Sequence, residues 1–513
     1  MSLITNTQNR SRTIESPAIM LLLIPLVSIC ALGIARISWN PLVLLASFAV
    51  GGILALTILT FAIVLNNNKP LIQPATIFVT TSLGYALSAI FLLSGAQSRS
   101  YRYILTPENV PHFTEALGYA LAGMISFLIS YAFLIKEKER LASRICVNEN
   151  EIHISRERVT RVVTVFYSVG LIGYYLFVQS SGGIRILLEQ TGKRNILRTT
   201  EYYRTLFQLT LVAGWIWFAY DKRALKKPLF WVQAIVTVLF LMSLGNRGAV
   251  IIYVATYLVI GIYRSTKAYK VSLSQFLSRL PSIILVMVFS LSVMFGGLAW
   301  REASYAANRS GGGVTIDLFF ERLARYQDGE LLAASLFGQS NLAGIESLAT
   351  IVEIVPDELA YMRGQSFIWT FLMPIPRAIW PNKPTTLGLH IKRTLWSENA
   401  IGGGVPPGIT GELFLNFGLV GVIIGNSIFG YCSGRVYLFY IRHSEKVFAQ
   451  LFYIFYSTVF VFYLTKTEFR TGLYRFIVVA LALYAVNQYI LRNQKNSMQS
   501  RLDPASSLKS FRQ

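Results

Sequence analysis

The sequence predicts an all-α integral membrane protein with about twelve transmembrane helices. Three observations predict it. Hydrophobic residues make up 53% of the 513 residues, and charged residues only 14%. The mean hydropathy is +0.50. Apolar runs of about twenty residues, the length that crosses a bilayer core, recur along the whole chain. A soluble chain of this size would divide into several domains, and this composition excludes that class.

In order, the spans are expected at residues 17–35, 41–65, 71–94, 115–135, 162–180, 205–220, 229–244, 248–263, 281–299, 413–434, 447–465 and 471–490. Met1 to Ser16 is polar and leads into the first apolar run without a small-residue cleavage site. The first span therefore reads as a retained helix. The expected organisation is a nine-helix membrane region over 1–299, a large external loop over 300–412, a three-helix membrane region over 413–492, and a basic tail over 493–513. Within the loop, Leu336 to Ile354 carries apolar residues at roughly helical spacing and stops at Pro356. One or two amphipathic helices are expected there, lying along the outer membrane face. Cys30 and Cys432 sit in apolar runs and Cys146 in a basic loop, so no disulfide framework is indicated.

Basic residues set the orientation. The loop from Lys136 to Arg161 carries seven of them. Asp221 to Pro228, Arg264 to Arg279, Arg435 to Lys446 and the tail after Tyr489 fall on the same side. That side holds about 26 basic residues, against about 12 on the other once the long loop is set aside. Both termini are therefore expected in the cytoplasm and the segment from Arg301 to Glu412 outside. Much of the net charge of +22 is then a topology signal rather than a nucleic-acid footprint, and the basic loops also suit anionic lipid heads.

The stretch from Met373 to Gly421 breaks the helical pattern. Pro374, Pro376, Pro381 and Pro384 forbid a regular helix through its first half. Pro406-Pro407 and the adjacent glycines forbid one before Thr410. Irregular backbone beside a membrane is tolerated where it lines a protein-walled cavity. The basic residues there (Arg377, Lys383, Lys392, Arg393) suggest that the cavity holds an anion.

Outward-facing basic residues that oppose the orientation bias mark the candidate site. One external loop carries Arg185, Lys193, Arg194, Arg198 and Arg204. These side chains either snorkel to phosphate heads or meet an anionic substrate, with Arg185 and Arg194 as the candidates. Arg247 lies in SLGNRGAV, a turn between two short apolar runs, where an arginine below the surface needs a partner. Arg363 and Arg377 offer the planar fork that suits phosphate oxygens, and Lys383 a point charge. Arg301 and Arg475 sit at helix ends facing the same compartment. Trp380, with Trp369 and Trp396, belongs either to an interfacial belt or to a sugar-stacking surface. Glu412 suits a helix's first turn or the role of general base, and Asn416 lies one turn beyond it as a binding candidate. His390 is the one histidine in the long loop, and an imidazole can take a proton near neutral pH.

The middles of nearly all expected spans lack Asp, Glu, Lys and Arg, which argues against an ion-coupled transporter. No phosphate loop, serine–histidine–acid motif or histidine/cysteine metal spacing occurs. The first external loop, ARISWNP, has no acidic residue to hold a divalent ion. Chemistry on a phosphate-bearing substrate would then rest on arginines, with no metal or other cofactor.

Three pieces carry a family resemblance: PRAIWPNKPTTLG (Pro376 to Gly388), PPGITGELFLNFGLVG (Pro406 to Gly421) and the SLGNRG turn (Ser243 to Gly248). With one large external loop late in the chain, the sequence resembles the Wzy-type polymerases of oligosaccharide repeat units, which serve O-antigen and exopolysaccharide assembly. The resemblance implies a lipid-donor glycosyltransferase of GT-C-like architecture in the bacterial inner membrane, with its cavity open to the periplasm. It implies polyprenyl-diphosphate-linked oligosaccharides as substrates, and a chain-length regulator and a flippase as partners. The O-antigen ligases share the arginine-bearing turn and are one alternative. A flippase or transporter that moves lipid-linked oligosaccharide without making a bond is the other.

Overall fold

The computed structural model describes residues 41–66, 72–94, 105–142, 156–183, 201–243, 247–265, 278, 280–309, 314–328, 345–372, 375, 379–380, 382–396, 404–444 and 446–502. Among them all regular structure is helical. The helices are α1 (Pro41–Asn66), α2 (Pro74–Leu93), α3 (Val110–Ala142), α4 (Arg156–Ser180), α5 (Glu201–Tyr220), α6 (Pro228–Ser243), α7 (Arg247–Ser265), α8 (Leu280–Arg309) and α9 (Ile316–Ala324). They continue with α10 (Ile345–Ile354), α11 (Gln365–Leu372), α12 (Leu387–Trp396), α13 (Gly408–Arg442), α14 (Val447–Lys466, with a π-helical turn at Tyr456–Val461) and α15 (Phe469–Leu502).

Among the described residues eight helices are long and apolar enough to cross a membrane, and three shorter apolar ones cover the expected spans at 205–220, 229–244 and 248–263. The expected span at 17–35 lies outside the described residues. At one end of the bundle, three tyrosines hold the start of α2. Tyr131 of α3 donates to the Gln73 side chain at 2.8 Å, and Tyr263 of α7 and Tyr453 of α14 donate to the Ile72 carbonyl at 2.8 and 3.2 Å. These hydroxyls satisfy backbone and amide groups that the packed helix ends shield from water. Aromatic packing ties α2, α3 and α13 together, with Phe78 stacked on Phe127 at 4.0 Å and Phe429 edge-on to Phe78.

The tenth expected span is not one straight helix. Gly418 has φ 63° and ψ −152°, a conformation essentially reserved for glycine. A side-chain carbon at Gly421 would come within 2.5 Å of the Leu413 carbonyl oxygen, and one at Gly425 within 2.2 Å of the Leu413 side chain. In a continuous helix Leu413 and Gly425 would stand about 18 Å apart along the axis. Residues 408–417 therefore form a half-helix that folds back against 419–442. Thr410 and Asn426, one from each arm, meet at Gly123 of α3. The half-helix starts deep, since Gly408 faces the Thr465 carbonyl and the Tyr85 hydroxyl in the middle of α2. It climbs to a tip at Gly418. Broken helices of this kind survive in membranes where neighbouring protein satisfies the freed backbone.

The helix expected along the outer face is also placed differently. Ile345, Glu346, Ser347, Leu348, Ala349 and Ile351 of α10 are all fully buried, and α10 packs among α2, α3 and α13. Its apolar residues cover too much of its circumference for one face on a membrane. Helix α8 packs chiefly on α7 and α9, around Met294, Leu298, Ala299 and Tyr326.

A side chain at Gly418 forces an L-residue into a glycine-only conformation. Gly418→Ala should destabilise the protein by roughly 1–3 kcal/mol, read as a lower melting temperature in detergent. An unchanged melt would contradict the fold-back.

Candidate functional site

The tip of the half-helix carries a short loop on its back. The Met362 and Arg363 amides donate to the Leu415 and Asn416 carbonyls at 3.0 and 3.2 Å. The Gly364 amide donates to Asn416 Oδ1 at 2.8 Å. These three bonds hold Arg363 at φ 47° and Gly364 at φ 90°. An arginine in the left-handed region costs about 1–2 kcal/mol, and such strain persists only where surrounding bonds over-determine it. What it achieves is presentation: Arg363 is exposed, and its guanidinium has no protein partner among the described residues.

Beneath the tip lies Glu412, 1% exposed. Ser366 of α11 donates to its Oε1 at 2.6 Å, and the Phe469 amide, the first of α15, donates to its Oε2 at 2.6 Å. Asn416 completes the network, its Nδ2 donating to Ser366 Oγ at 2.8 Å and to the Glu412 carbonyl at 2.7 Å. One carboxylate thus joins the half-helix, the loop helix α11 and the start of α15. Leaving a buried polar group's hydrogen bond unmade is costly, and here both oxygens are engaged.

A second carboxylate does the same for α12. Glu468 Oε2 accepts the Leu387 amide at 2.6 Å, and Oε1 accepts from Arg470 at 3.1 Å and Thr471 at 3.0 Å. Glu468 and Arg470 are a buried pair, each 7% exposed at the side chain. A carboxylate at a helix N-terminus complements the macrodipole, so Glu468 fixes where α12 begins. One turn further, the half-buried His390 meets the Trp369 ring of α11 edge-on at 6.2 Å between centroids. Burial, with the Arg393 charge adding to it, holds the imidazole below its usual value of 6.5. His390 is therefore neutral at neutral pH and able to accept a proton.

The structure brings Arg363, Asn416, Glu412 and, through α11 and α12, His390 into one unit. Lys383 sits in the adjoining loop, its Nζ donating to the Ile375 carbonyl at 3.0 Å, and its amide donates to the carbonyl of the half-buried Trp380 at 3.1 Å. Arg475 lies on α15 with its guanidinium 4.5 Å from the centre of the Tyr463 ring. Arg301 is half-buried on α8, which packs chiefly on α7 and α9 rather than on this unit. Arg247 is the first residue of α7. Arg185, Arg194 and Arg377 lie outside the described residues.

Sequence reasoning passed over Glu346, Lys466, Glu468 and Arg470. Glu346 accepts from Ser88 at 2.9 Å, and Lys466 reaches the Thr81 carbonyl at 3.4 Å and stands 5.9 Å from the centre of the Tyr85 ring. Thr81, Tyr85 and Ser88 share one face of α2 at helical spacing, a polar stripe that could have flagged these partners. Glu468 and Arg470 were legible as opposite charges in the short turn between two spans.

Chemically, an exposed guanidinium on a rigid turn can bind an anion, and a neutral imidazole on α12, linked to that turn through α11, can take up a proton. Among the described residues no three His, Cys, Asp or Glu side chains cluster as a metal site would need. A family model described as O-antigen polysaccharide polymerase Wzy matches residues 18–494. No curated protein and no solved structure matches the chain.

Because its backbone torsion suits glycine, Arg363→Gly should keep or raise thermal stability, by up to about 1 kcal/mol, while polymer formation is lost. A variant that melts early would mean that the arginine serves the fold instead.

Proposed function

Since the chain belongs to the Wzy family of O-antigen polysaccharide polymerases, with the family model covering nearly its whole length, we propose that it joins lipid-linked repeat units on the periplasmic face of the inner membrane. The observation that carries the site assignment is the strained, exposed Arg363 on the half-helix tip. In this reading the architecture is GT-C-like, with the termini in the cytoplasm. The donor is the growing glycan on polyprenyl diphosphate, and the acceptor is a fresh lipid-linked unit.

A hydroxyl at the acceptor's non-reducing end attacks the donor's anomeric carbon. The new glycosidic C–O bond forms as the bond to the diphosphate oxygen breaks, and its electron pair leaves with polyprenyl diphosphate. Arg363 stabilises the charge that grows on that oxygen, which preorganised donors do most effectively. Arg247 and Arg377 share that role, and Lys383, Arg185, Arg194, Arg301 and Arg475 guide the anionic lipids. Trp380 stacks on sugar, and Asn416 keeps the arginine turn in place. The hydroxyl proton passes to His390, neutral and half-exposed, rather than to Glu412, both of whose oxygens are engaged. Glu412 instead holds together the half-helix, α11 and the start of α15, against which two large lipids align. A chain-length regulator and a flippase are the expected partners.

Two outcomes test this. With purified protein and lipid-linked repeats, extension should proceed in the presence of chelator, and a strict need for added divalent ion would contradict charge stabilisation by arginine alone. The extension rate should also be level above pH 6.5 and fall at lower pH. The sign follows from the shift: a base whose value is lowered stays neutral down to that lower value and fails only beneath it. An acid limb above pH 6.5, or an unaltered limb in His390→Gln with activity retained, would remove His390 from the proton's path.

A further inference from the structure

At the opposite end of the bundle the chain builds a second, unrelated feature. The connection between α5 and α6 is fixed by Asp221, which is buried. Its Oδ1 accepts the Arg223 amide at 2.9 Å and its Oδ2 pairs with Lys227 at 2.7 Å. Burial alone would raise this carboxyl, but the bonds from Lys227 and the Arg223 amide, with the Lys227 charge, outweigh it and hold it below the usual carboxylate value. Arg264 of α7 closes the turn from below, donating to the Phe218 carbonyl and stacking on the Phe218 ring at 4.7 Å. Its neighbour Tyr263 bonds Ile72, so this corner lies at the end of the bundle away from Arg363.

A turn held this firmly displays what is left over. Lys222, Arg223 and Lys226 are exposed, and their side chains make no hydrogen bond or ion pair among the described residues. Beside them a shallow surface cleft is lined by Arg156, Thr160, Trp217, Tyr220 and Asp221. Below, Leu229, Val232, Ile235 and Leu239 form an exposed apolar row down α6. Trp231, half exposed, is anchored by its indole N–H on the Leu225 carbonyl at 3.0 Å, the posture of an interfacial tryptophan.

We propose that this corner is a binding site for an anionic phospholipid. Its phosphate-bearing headgroup sits among Lys222, Arg223, Lys226 and Arg156, and one acyl chain runs along the α6 row. Charge complementarity and the continuity of cations with an apolar track select a lipid over a soluble anion. A general basic surface would need neither the rigid turn nor the track.

The test is native mass spectrometry of the full chain in detergent with equal amounts of phosphatidylglycerol and phosphatidylcholine. Phosphatidylglycerol should be retained preferentially. Lys222→Gln/Arg223→Gln/Lys226→Gln should weaken that retention by roughly tenfold to a hundredfold, each cation near an anionic headgroup being worth about fivefold. Arg435→Gln/Arg442→Gln, which removes exposed cations from the same end, should change it little. The lipid-free melting temperature of both variants reports folding. No preference for phosphatidylglycerol, or an equal loss per charge removed in the two variants, would overturn the site.

Discussion

The end of the bundle that carries Arg363 depends on the buried carboxyl group of Glu412. A carboxyl group at 1% exposure is tolerated only where its oxygens are hydrogen-bonded, and Ser366 and the Phe469 amide each bond one of them. Those donors come from segments far apart in sequence. The half-helix of α13, the loop helix α11 and the start of α15 are therefore not free to move separately. Everything above them inherits that rigidity: Asn416 is fixed by the same network, and through Asn416 the turn that carries Arg363.

Strain and satisfaction are arranged in opposite places. The backbone at Arg363 is in a costly conformation with its charge exposed, while beneath it every carboxyl oxygen of Glu412 and Glu468 accepts a hydrogen bond. On the proposed reading this division suits the binding of a large, highly charged lipid, because the guanidinium is already exposed to phosphate oxygens. At the other end of the bundle Asp221 organises the α5–α6 turn on the same principle, with satisfied groups inside and, outside, cations unpaired among the described residues.

Much of the fold was legible in the sequence because bilayer length and hydropathy leave little freedom. Eleven of the expected spans correspond to described helices, with ends shifted by several residues. The break at Pro406-Pro407 was legible too, since proline cannot continue a helix. The fold-back at Gly418 was not: FGLVG reads as continuous apolar sequence, and only the pairing of Leu413 with Gly421 and Gly425 reveals it. Burial of α10 was likewise hidden, because an apolar period does not say how many neighbours a helix will find. For Glu412 the sequence offered a helix-end charge or a base, whereas the structure gives it two donors 46 and 57 residues away. Partners at such separations leave no local trace.

The most direct measurement is an experimental density map of the protein with a polyprenyl-diphosphate-linked oligosaccharide bound. The account predicts the diphosphate over the turn at residues 361–364, within hydrogen-bond reach of the Arg363 guanidinium, with Glu412 still held by Ser366 and the Phe469 amide. A map in which Glu412 has swung free to meet the sugar, while Arg363 faces away from the phosphates, would contradict it.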